Sequence, residues 1–116
     1  MNRIPPVNFE RIDEMAEGDM EFRNELITAI HNSLLELKEK YLEGSEEENI
    51  ETIQQIRHKV KPTLALFEIE KLNDIVLSGK TIIEENGFKG AFLAHLEEFL
   101  DAWQEAYDFV KENLDE

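Results

Sequence analysis

Residues 45–67 read SEEENIETIQQIRHKVKPTLALF. Within this stretch Ile50, Ile53, Ile56, Val60, Leu64 and Phe67 return every three or four positions. That is the period of a helix with one buried stripe. Ser45, with Glu48 three residues on, reads as a capping box, so a helix is expected to start just after it. Upstream, Asn8 can cap a short helix carrying Phe9, Ile12 and Met15, with Gly18 at its end. Asp19 can cap a second helix to about Leu42, with Phe22, Leu26, Ile30, Leu34, Leu37 and Tyr41 inward and Gly44 closing it. Downstream, a fourth helix is expected over roughly 70–86, carrying Leu72, Ile75, Val76, Ile82 and Ile83 and stopped by Gly87. The last begins near Gly90 and carries Phe92, Leu96, Phe99, Trp103, Tyr107, Val110 and Leu114.

No segment alternates as a strand does. Helices joined by short loops pack antiparallel to their neighbours. The fold class expected is all-α: an antiparallel up-and-down four-helix bundle with a short N-terminal helix across one end. Residues 1–7, with Pro5 and Pro6 adjacent, are expected as an extended lead-in, and residues 8–116 as a single bundle domain.

The chain has 116 residues, of which 12 are Lys or Arg and 27 are Asp or Glu, for a net charge of −15. So acidic a chain is a poor ligand for nucleic acid, where binding runs on phosphate neutralisation, and for an anionic membrane surface. Cysteine is absent, which excludes disulfides and thiolate chemistry. No apolar run is long enough to span a membrane and no signal core opens the sequence, so a cytoplasmic monomer is expected.

Most catalytic constellations are missing as well. Di-iron bundles use Glu three residues before a His, but Thr28, Gln55 and Phe92 stand before His31, His58 and His95. No glycine-rich phosphate loop occurs, and no serine sits in a nucleophile-elbow context. No cofactor or metal is expected. His31 and His95 have partly apolar neighbours and read as boundary packing residues. His58 lies two positions from both Ile56 and Val60, which turns it away from the core. It sits in Arg57-His58-Lys59-Val60-Lys61, while the rest of the chain has nine basic residues for 27 acidic ones. A cationic knot around an outward histidine makes this the candidate site, bordered by Gln54, Gln55, Pro62 and Ala65.

The segment His58-Lys59-Val60-Lys61-Pro62-Thr63-Leu64 resembles the signature of histidine-containing phosphotransfer (HPt) domains. In that family a helical His is followed by an apolar residue at the second position, Lys at the third, Gly at the fourth and a small hydroxylic residue at the fifth. His58, Val60, Lys61 and Thr63 match, as do Phe67 and Leu72 further on. Gly18-Asp19, and Glu84, Glu85 and Gly87, sit where the family has similar features, so the likeness extends over essentially the whole chain. Two residues depart from it: Pro62 and Glu68 stand where the family has glycine. Pro62 also removes the helical bond to the His58 carbonyl and pushes Lys61 from helical angles, so a kink is expected there. Sensor-kinase dimerisation helices also pair a His with a nearby Pro, but Lys59 stands where they have an acidic base. Phosphorylation from ATP is therefore not expected.

The resemblance implies a phosphorelay intermediate. His58 would be the phosphoacceptor and Lys61 would stabilise the phosphoryl group. Gln54, Gln55, Arg57, Lys59, Pro62 and Ala65 would meet the partner. The implied partners are receiver domains of response regulators or hybrid histidine kinases, which would bring the Mg²⁺. The alternatives are a receiver-binding bundle that no longer accepts phosphate, because of Pro62 and Glu68, or an unrelated all-helical adaptor.

Overall fold

The computed structural model describes residues 5–114, so the first four residues of the expected lead-in over residues 1–7 lie outside it. Five helices follow in order: α1 (Phe9–Ala16), α2 (Met20–Glu46), α3 (Ile50–Leu66), α4 (Glu70–Asn86) and α5 (Ala91–Leu114). No strand occurs among the described residues. α2 packs against α3 and α5, and α4 packs against the same two, which closes a ring of four. Connections of three or four residues make successive helices antiparallel. α3 and α5 are thus a diagonal pair.

α1 lies across one end of the bundle, as expected. The Asn8 backbone N–H donates to the Phe67 carbonyl at 2.9 Å, and Arg11 Nε donates to the Leu66 carbonyl at 3.3 Å. Phe9 meets Phe109 of α5 with ring centroids 5.4 Å apart. The end of the lead-in is anchored too, because Val7 is fully buried in the core.

The caps divide into two that follow the sequence reading and one that does not. Asn8 accepts from the Arg11 N–H and Asp19 from the Phe22 N–H. Ser45 does not cap α3. α2 runs past Gly44 and Ser45 to Glu46, and the Ser45 hydroxyl donates to the Tyr41 carbonyl at 2.6 Å. Asn49 caps α3 instead, accepting from the Glu51 and Thr52 N–H groups. Gly44 is needed inside the helix rather than at its end: a Cβ there would lie 2.9 Å from the Ile53 side chain, so its absence lets α2 and α3 approach. The reversal falls at Glu48, whose φ of 52° is in the left-handed region.

One contiguous core fills the bundle. In α2 the buried stripe is Ile27, Ile30, Leu34, Leu37 and Tyr41, while Phe22 in the first turn is exposed and Leu26 half-buried. Phe99 and Trp103 of α5 are buried as expected, and the Trp103 indole N–H donates to the Leu34 carbonyl at 2.6 Å. α3 continues through Pro62, and Lys61 stays helical. Pro62 lies on the exposed side of α3, where solvent can take the carbonyl that the proline leaves without its helical donor.

Candidate functional site

His58 is exposed near the middle of α3, and its neighbours in the stripe, Ile56 and Val60, are buried. The residues one and two turns along the same face are Gln54 and Gln55 before it, then Lys61, Pro62 and Ala65 after it. Gln54 is half-buried and the other four are exposed. Leu66, 41% exposed, extends the strip of Pro62 and Ala65 toward the end of α3.

The cationic knot is not one patch. Arg57 is buried, at 7% exposure, which corrects its expected place on the partner-facing surface. It falls at the helical spacing of Ile53, Val60 and Leu64, so its stem belongs to the core stripe, as long basic side chains allow. Its charge acts inward, on Tyr41. Burial pushes the Tyr41 phenol above its usual range, and the Arg57 guanidinium opposes that rise. Lys59 is exposed but bound: its ammonium lies 2.7 Å from the Glu36 carboxylate of α2. Lys61 makes no ion pair among the described residues. Of three neighbouring cations, one serves the core and one bridges two helices. Lys61 alone remains on the His58 face without an anion.

The other two histidines are engaged. His31 is half-buried and its Nε2 lies 3.2 Å from the Tyr107 hydroxyl. His95 is buried, at 2% exposure, rather than at the boundary. Its Nε2 lies 2.7 Å from the Tyr41 hydroxyl. The phenol stays protonated, and the imidazole tautomer, with its proton on Nδ1 or on Nε2, sets which of the two atoms donates. The His95 Nδ1 is buried without a hydrogen-bond partner. Burial lowers the His95 pKa, with Glu98 pulling weakly the other way. Gly79 of α4 closes over the pair. A Cβ there would meet the Tyr41 hydroxyl and lie 2.6 Å from His95 Nε2.

Two features of the site escaped the sequence reading. Glu36 stands 23 residues from Lys59, and only the packing of α2 on α3 joins them. The burial of Arg57 is the second, and its place in the Ile53–Leu64 stripe was the signal that could have found it.

Glu68 bears on the family pattern. Its φ is 52°, the left-handed conformation that glycine takes most readily, and its carboxylate accepts from Asn8 Nδ2 at 3.1 Å. The backbone at the end of α3 therefore adopts a glycine-like turn without glycine. No group of three or more His, Asp or Glu side chains is arranged for a metal ion among the described residues, and no helix there is long and apolar enough to cross a membrane. Comparisons with family models, curated proteins and solved structures found no match to this chain.

Proposed function

We propose that the chain is a cytoplasmic phosphorelay intermediate that accepts a phosphoryl group on His58. The observation that carries this reading is the exposed His58 with an unpaired Lys61 one turn along the same face. An imidazole nitrogen attacks the phosphorus of a receiver's aspartyl phosphate. The P–N bond forms as the P–O bond breaks, and the aspartate leaves as carboxylate. The transferred group carries close to two negative charges, which the Lys61 ammonium offsets. A second receiver then takes the group by the reverse chemistry. Mg²⁺ belongs to the receivers, and this chain supplies a positioned nucleophile and a surface. Gln55, Pro62 and Ala65 border the histidine and meet the receiver, with half-buried Gln54 at the edge.

A second reading has its own observation. The Pro62 ring is exposed one turn from His58, where the HPt pattern has glycine. If it holds a receiver away from the imidazole, the bundle docks without accepting phosphate. Glu68 lends this alternative little support, because its backbone already takes the turn that glycine favours. Incubation with a panel of phosphorylated receivers separates the readings. The phosphorelay predicts acid-labile label on wild type, none on His58→Gln, and little change for Pro62→Gly. Inert wild type with an active Pro62→Gly variant supports docking alone. Absence of both label and binding rejects both.

A further inference from the structure

The bundle carries a second unpartnered surface, remote from His58. It is a groove of about 350 Å³ between the C-terminal part of α2 and the start of α5, roofed by the α4–α5 connection. Leu42, Phe88, Phe92, Leu93 and Leu96 form its wall, with Glu46 at the mouth. Phe92 is buried beneath it, whereas Leu93 is 61% exposed, the most exposed of the large apolar side chains among the described residues. The Ser45 hydroxyl on the wall is already engaged with the Tyr41 carbonyl, so the interior offers apolar contact and little else. Its volume is within the range of ligand-binding clefts.

Charge identifies the occupant. The segments around the groove, residues 42–48 and 84–97, carry seven carboxylates and a single lysine, Lys89. An apolar slot between two antiparallel helices suits the leucine face of a third helix. The Glu46 carboxylate at the mouth, with no cation on the wall and a net charge of −15 over the chain, suits lysines or arginines on that helix's flanks. A second copy of this chain is a poor occupant, because it would bring its own net charge of −15 against the same charge.

We propose that this groove binds a basic amphipathic helix of a partner protein, seated on Leu93 with its flanking cations facing Glu46. Because α5 is diagonal to α3, the surface is independent of the His58 face, and the inference does not depend on phosphotransfer.

The probe is a synthetic peptide of about 18 residues, with leucines spaced i, i+3, i+4 and i+7 and lysines elsewhere. Binding is measured by fluorescence anisotropy and mapped by amide chemical shifts. The expected result is saturable binding, with shifts centred on Leu42, Leu93 and Leu96. Leu93→Asn should weaken it about tenfold at unchanged Tm, the loss of one buried anchor. The glutamate counterpart of the peptide should not bind. Four results overturn the proposal: no binding; shifts centred elsewhere; equal affinity for Leu93→Asn or for a peptide with serine in place of leucine; or a dimer in sedimentation that Leu93→Asn converts to monomer.

Discussion

Two histidines in this bundle have opposite surroundings. His58 stands on the outer face of α3, exposed, with a free lysine one turn away. His95 is sealed inside, bonded to Tyr41, capped by Gly79, with one ring nitrogen left without a partner. Arg57 separates the two regions in an instructive way. It is the chain neighbour of the exposed histidine, yet its own side chain is buried and its charge is felt by Tyr41. A helix turn of about 100° per residue is enough to assign adjacent residues to different tasks. Burial makes His95 a structural hydrogen-bond partner that resists protonation. Exposure leaves it available to a partner.

The contrast predicts a graded series of effects. The largest belongs to the core. Trp103→Ala should cost about 3–5 kcal/mol, because the indole is buried and its N–H holds the Leu34 carbonyl. Chemical denaturation checks this, and a loss under about 1 kcal/mol would place α5 outside the cooperative core. Gly79→Ala should follow at about 1–3 kcal/mol, since the added methyl overlaps the Tyr41–His95 pair.

Acid should act on the buried histidine. His95 has a lowered pKa when folded, so the unfolded chain takes up the proton first as pH falls. Its contribution is intact above the unfolded value of about 6.5 and is lost progressively below it. Tm measured from pH 7.5 down to 5.5 should fall, and His95→Gln should flatten that part of the profile. An unchanged profile would mean that His95 titrates normally.

The smallest stability effects belong to the outer face. His58→Gln and Lys61→Glu should each change stability by no more than about 0.5 kcal/mol. Lys61→Glu should nevertheless slow phosphoryl acceptance. A wild-type rate in that variant would remove Lys61 from the reaction.

The helix order and most of the core were legible because apolar spacing is a local property. Ile53, Ile56, Val60 and Leu64 sit where their period put them, and so do Phe99 and Trp103. Capping at Asn8 and Asp19 was legible for the same reason. The turn between α2 and α3 was misread because Gly44 and Ser45 look like punctuation. Their reasons are tertiary: Gly44 faces Ile53 across a helix interface, and Asn49 competes for the cap. The outward direction of His58 followed from a two-residue offset. The pairing of Lys59 did not, since its contact with Glu36 requires α2 beside α3. The partner of His95 was likewise hidden, because Tyr41 lies 54 residues away, although its spacing from Phe92 and Phe99 put it in the buried stripe.

The most direct test of the contrast is to map the phosphoryl group after transfer. Wild-type protein is incubated with phosphorylated receivers, and the modified residue is located by mass spectrometry under conditions that preserve phosphohistidine. The account predicts the group on His58 alone, with His31 and His95 unmodified. A phosphoryl group on either of those residues, or no phosphoryl group from any receiver of the same cell, would contradict it.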